Sequence, residues 1–242
     1  MNNRFISFTY FLKKIFFAYF ISALVYSLAT VETVVPPSEV GAMAGVKPRA
    51  RTVVHRSFLT LNSQKNAGGA CILETTTDIR SSKCRQFIQN RSAAEVLWWF
   101  PESESQFRLQ CRPFVLPALS HEWRREFPTD LTGEALGELD WEAARVESFN
   151  RLSPSLRASF ARPAPGSELV EREKARDWPK ELSKLGQESE EEKEMVRWAF
   201  ENFAVLYLEV EEVDFVDLGV LPNERCRYVF QAGEWLKSVL VP

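Results

Sequence analysis

The chain has 242 residues, 45% of them hydrophobic and 26% charged, with a formal net charge of −3. This is the composition of an ordinary globular protein, which argues against a disordered chain or a multi-span membrane protein. The near-neutral balance leaves no global basic field that would draw nucleic acid.

The four cysteines, Cys71, Cys84, Cys111 and Cys226, are scattered without a CxxC pair, and there are two histidines. Neither a zinc site nor a disulfide framework is written in that pattern, and the reading is a reducing, intracellular compartment. Aromatic residues make up 12%, with 18 Phe and 7 Trp, which points to a β-rich core.

Residues 5–28 are almost entirely apolar, broken by Lys13 and Lys14, and no charge falls between Ile15 and Val31. That is about the minimum for a spanning helix, which needs roughly 17 to 25 apolar residues. Three readings compete: a membrane anchor, a cleaved signal peptide, or a segment whose end, Tyr26–Val31 (YSLATV), is already the first strand. We favour the third, because it leaves 15–25 too short to span. The expectation is a cytoplasmic protein, with anchoring through the N-terminal segment as the alternative and membrane contact confined to residues 5–25. Residues 1–24 are then a segment of uncertain status, 25–242 one domain, and 161–190 a surface loop within it.

Residues 33–48, with Pro36, Pro37, Gly41, Gly45 and Pro48, predict a long hairpin loop. Arg49–Leu61 alternates polar and apolar residues as a half-buried strand does. A turn at Asn66–Gly69 and a strand at Ala70–Thr77 follow. Ser81–Asn90 has helical spacing, with Ser81 or Ser82 as N-cap. Ala94–Phe100 (AEVLWWF) and Gln106–Leu116 predict an antiparallel pair joined by a polar turn, with Trp98 and Trp99 on opposite faces. A helical pattern runs from Trp141 to Phe160 and restarts at Ser153-Pro154. Arg162–Gln187 predicts a surface loop and Glu188–Glu194 a solvated helix start. Four closing strands are expected at Phe203–Glu209, Val213–Leu218, Arg225–Gln231 and Trp235–Val241. Eight or nine strands with two helical interludes predict a mainly β fold, a barrel with flanking helices.

Two segments carry the most specific chemistry: Arg51-Thr-Val-Val-His-Arg56 on a strand, and Thr76-Thr77-Asp78-Ile79-Arg80-Ser81-Ser82-Lys83 at a strand-to-helix turn. Cationic side chains, hydroxyls and the amides of a helix N-terminus all suit a phosphate. The bland reading is that Arg51 and Arg56 face solvent while Ser81 only caps a helix, and spacing alone leaves the two even. His55 reads as a satisfied strand side chain, and Cys84 has no partner base nearby.

These segments, together with Glu95–Phe100 and Gln106-Phe-Arg108, resemble the flavin-binding signature of the pyridoxamine 5'-phosphate oxidase-like family, in its branch with a TDxRSxK pattern. The resemblance covers residues 26–117 and, more loosely, Val213–Pro242. It implies an FMN-binding split β-barrel, an FMN cofactor, a homodimer and an FMN-dependent oxidoreductase of unread substrate. The alternatives are a flavin-binding or sensor module without turnover and a barrel that has lost FMN. By the same likeness Arg51 and Lys83, with Ser81 or Ser82, would hold the FMN phosphate. Thr52, Val53 and Val54 would present backbone to the ring, and Arg56 would stand where the family often has Lys. Thr76 and Thr77 would line the ribityl chain, and Gln106 would reach the flavin from a facing subunit or strand. The family's C-terminal Arg-x-His-x-x-Arg region keeps only its last Arg, as Arg225 or, with a gap, Arg227. Leu221 and Asn223 stand where substrate-phosphate ligands are expected, so oxidation of pyridoxamine phosphate is expected to be poor.

Overall fold

The structure, a computed structural model, describes residues 24–34, 45–59, 70–90, 94–127 and 139–242. The expected turn at Asn66–Gly69 and most of the apolar N-terminal segment lie outside these residues. Nine antiparallel strands are present among the described residues: β1 Val25–Val34, β2 Gly45–Val54, β3 Ser57–Phe58, β4 Cys71–Asp78, β5 Ala94–Phe100, β6 Ser105–Leu116, β7 Phe203–Asp217, β8 Glu224–Gln231 and β9 Glu234–Leu240. They form one sheet in the order β2-β1-β5-β6-β7-β4-β3, with β8 paired to β7 and β9 to β8. The helices are α1 Ser82–Asn90, α2 Trp141–Asn150, α3 Pro154–Ser159 and α4 Lys193–Asn202. Among the described residues no helix is long and apolar enough to cross a membrane.

Three predicted boundaries change. The strands expected at 203–209 and 213–218 are one strand, β7, in which Val210 and Val213 are both buried. The strand expected at Arg49–Leu61 breaks at His55-Arg56 into β2 and β3. The loop expected from 33 is shortened at both ends, because β1 continues to Val34 and β2 starts at Gly45. Pro48 is tolerated inside β2 because that strand ends the sheet, where a missing N–H breaks no second ladder. The β8–β9 hairpin turns through Ala232 (φ 53°) and Gly233 (φ 85°), as a two-residue turn between twisted strands requires.

The chain divides into two compact units. The first comprises residues 1–75, 90–113 and 207–242, the second 76–89 and 114–206. In the first, β5 alternates buried and exposed along its length, so Trp98 is fully buried while Trp99 is 44% exposed, as expected from the pleat. Trp98 sits 4.8 Å from the Tyr26 ring and 5.0 Å from His55, and the aromatic series continues through Phe100 and Phe107 to Phe215. All four cysteines are free and buried.

Burial within this aromatic group pushes the His55 imidazole down from its ordinary 6.5 to about 4. The unfolded chain therefore takes up the His55 proton near 6.5 and the folded chain only near 4. Stability from this residue is full above pH 6.5 and is lost as pH falls toward 4, by up to about 3 kcal/mol. Denaturant midpoints are expected to fall over that window and to fall less in His55→Phe. His121, also lowered by burial, acts with the same sign, so the difference between the two proteins isolates His55.

The second unit packs Phe149, Phe160 and Phe200 around Phe203, with ring centroids 5.2 to 6.4 Å apart. Asp140 caps α2 through the Glu142 and Ala143 amides, and Ser153 caps α3 ahead of Pro154 at its first position. Much of this unit is irregular, and arginines take up its carbonyls. Arg157 donates to the carbonyls of Leu152, Leu182 and Ser183, Arg162 to that of Pro179, and Arg124 to that of Pro117. The expected surface loop 162–187 is thus mostly exposed but fastened at Pro179 and at the buried Leu182.

Candidate functional site

The donors assigned to a phosphate fall into two sets, one in each unit. In the first unit, Arg51 lies on β2 opposite Leu28 of β1, and its Nη1 donates to Thr30 Oγ1 at 2.6 Å and to the Leu28 carbonyl at 3.2 Å. The guanidinium is half-buried and oriented by β1. Thr52 and Val54 are exposed and Val53 is buried. Apart from Val54, whose carbonyl accepts Thr75 Oγ1 at 2.7 Å, the outer edge of β2 offers backbone groups that no neighbouring strand takes up among the described residues. Arg56 is half-buried, its amide bonded to the Glu74 carbonyl.

In the second unit the turn from β4 into α1 separates its side chains by direction. Thr77 and Ser81 are buried, 3.2 Å apart through their hydroxyls, and Ser81 also contacts Cys84 Sγ at 3.5 Å. Burial pushes the Cys84 thiol up, so it is not poised as a nucleophile. Thr76 is partly exposed, Ser82 exposed and Lys83 half-buried, and these face outward at the start of α1. The helix N-terminus adds amides and a favourable dipole for an anion there.

Asp78 and Arg80, also within this motif, have a structural task. Arg80 donates from Nε (2.9 Å) and Nη2 (2.6 Å) to the two Asp78 oxygens, and from Nη2 to the carbonyls of Phe160 and Arg162. The aspartate also accepts the Arg80 amide at 2.9 Å, which closes the turn.

Gln106 is partly exposed on β6, opposite Trp99. Arg225, on β8, is bonded twice to Asp214, which Arg108 of β6 also contacts. These hydrogen bonds, Arg225 first, hold the Asp214 carboxyl below its ordinary range. Asp214 was not singled out by its sequence context, because its partners lie 11 and 106 residues away.

Residues 21–117 match the family model described as pyridoxamine 5'-phosphate oxidase, FMN-binding domain. The matched FMN-binding domain contains Arg51, the β4–α1 turn and Gln106. No curated relative matches the chain.

Among solved structures, a pyridoxamine 5'-phosphate oxidase-related, FMN-binding protein from Nostoc punctiforme is 23% identical, with a TM-score of 0.62, covering 96% of this chain and 95% of its own. PhzG from Burkholderia lata, solved with tetrahydrophenazine-1-carboxylic acid, is 16% identical, with a TM-score of 0.61, covering 99% of this chain and 95% of its own. At these identities the likeness is one of fold, and it extends over nearly the whole chain. The mainly β, split-barrel expectation is borne out.

Proposed function

We propose that the protein binds FMN and is a flavin-dependent oxidoreductase of the pyridoxamine 5'-phosphate oxidase-like family, with residues 25–242 as its split-barrel domain. The observation that carries the reading is the match of residues 21–117 to an FMN-binding domain. The donor chemistry fits the group. Arg51 and Lys83, with Ser82 or Ser81, supply charge-assisted hydrogen bonds for a phosphate. The β2 edge at Thr52, Val53 and Val54 supplies backbone groups for a flat ring, and Arg56, Thr76, Thr77, Gln106 and Arg225 complete the proposed set. Bound flavin would supply hydride chemistry, and the protein's part is to bind and orient it.

A second reading, a flavin module without turnover, is favoured by Leu221 and Asn223 standing where substrate-phosphate ligands are expected. The visible spectrum tests both. Yellow protein that releases FMN on denaturation supports flavin binding, and bleaching by a reduced nicotinamide or an oxidisable substrate separates enzyme from module. Colourless protein that takes up no FMN would overturn both.

The proposed homodimer needs an apolar face. Trp98 and Phe107 are buried in the core, whereas Trp99 and Leu97 are 44% and 42% exposed on one face of β5. Light scattering is expected to give twice the chain mass for the native protein and the chain mass for Leu97→Glu/Trp99→Glu. A monomeric native protein would contradict the dimer.

A further inference from the structure

Strands β6, β7 and β8 bring together three charged side chains that are distant in sequence. The Asp214 carboxylate accepts from Arg225 Nε at 3.0 Å and Nη2 at 2.7 Å, and from Arg108 Nη2. Two guanidiniums thus share one carboxylate, and the trio carries a net positive charge. A guanidinium has more N–H groups than half a carboxylate can take. Arg108 Nε is buried without an acceptor, and Arg225 Nη1 has none among the described residues. The two side chains still reach solvent, at 39% and 30% exposure.

Register extends this face. Residues directly opposite in an antiparallel pair share a face, as do residues two apart on one strand. Arg227 is opposite Asp214 and exposed, which adds a third cation, while Glu212, half-exposed and opposite Val229, adds one more carboxylate. On β5 and β6, Trp99 lies opposite Gln106 and Leu97 opposite Arg108. The face therefore combines surplus cationic donors with an exposed aromatic ring.

We propose that Arg108 and Arg225, held side by side by Asp214, form an oxyanion-binding site that takes the carboxylate or phosphate of a small ligand. Asp214 fixes the two forks, and their solvent-reaching N–H groups meet the oxyanion. The source of the oxyanion is either the cofactor's phosphate or a second, anionic molecule.

The test uses the full chain, native and as Arg108→Gln and Arg108→Lys, with inorganic phosphate, benzoate and benzamide measured by calorimetry and FMN and riboflavin by fluorescence. Native protein is expected to bind phosphate or benzoate at millimolar concentration and to ignore neutral benzamide. Arg108→Gln is expected to weaken that binding about tenfold, as loss of one charge-assisted contact does. Arg108→Lys, which keeps the charge but loses the fork, is expected to be intermediate and serves alone if the Gln variant does not fold.

FMN affinity falling while riboflavin affinity holds assigns the oxyanion to the cofactor phosphate. Unchanged FMN affinity with weakened benzoate assigns it to a second ligand. If neither flavin binds but the variants lose phosphate or benzoate, the flavin reading fails and this site stands. No binding of phosphate or benzoate to the native protein, or equal binding by all three proteins, would overturn the proposal.

Discussion

Arg145→Leu is expected to destabilise the protein by about 3 to 5 kcal/mol, the cost typical of breaking a buried charge network by removing one partner. Arg145, on α2, is 1% exposed. Its Nη1 donates to the carbonyls of Phe200 (2.8 Å) and Phe203 (3.1 Å), its Nη2 to Glu142 Oε1 (2.8 Å), and its guanidinium carbon lies 3.6 Å from the Phe200 ring centroid. The Phe200 carbonyl belongs to the last turn of α4, where it also accepts the Phe203 amide, and a cation there suits the helix dipole. Leucine would fill the volume but remove the side-chain donor to both carbonyls and to Glu142. Denaturant unfolding should show a much lower midpoint with a similar slope, and the slope matters because it tells lost stability from a changed unfolded state. A midpoint within experimental error of the native protein would show that this unit does not depend on the arginine.

Arg51→Ala and Lys83→Ala are each expected to weaken FMN binding tenfold to a hundredfold. Removing one charge-assisted contact to a phosphate costs about 1.5 to 3 kcal/mol. Arg51 has a second consequence, because its Nη1 also bonds Thr30 Oγ1 and the Leu28 carbonyl, so its loss leaves acceptors on β1 without their donor. Lys83 lies in the first turn of α1. Riboflavin separates the roles: a phosphate ligand matters for FMN and not for riboflavin, whereas a loosened β1–β2 pair would weaken both. Flavin fluorescence titration that gives native FMN affinity in both variants would remove the phosphate assignment.

What the sequence determined by itself was the local pattern. Residues 94–100 alternate because β5 has one face on the core, and that period of two gave the strand, its turn and the opposite directions of Trp98 and Trp99. Ser153-Pro154 marked the start of α3 because a hydroxyl cap and a preset φ act over a few residues. The family resemblance rested on similarly local runs, 51–56 and 76–83. Tertiary structure decided whatever depends on contacts distant in sequence. Phe203–Asp217 is one strand because both its halves pair within a single sheet, although 210–212, with the polar Glu211 and Glu212, read as a break. Glu209 is buried there, where Arg112, 97 residues earlier, reaches it. The same holds for Arg80, whose motif reads as phosphate chemistry but which fastens the Phe160 and Arg162 carbonyls 80 and 82 residues on. A guanidinium can serve an anion, a carboxylate or a bare carbonyl equally well, so its sequence neighbours do not say which, and the fold chooses by what it leaves without a donor.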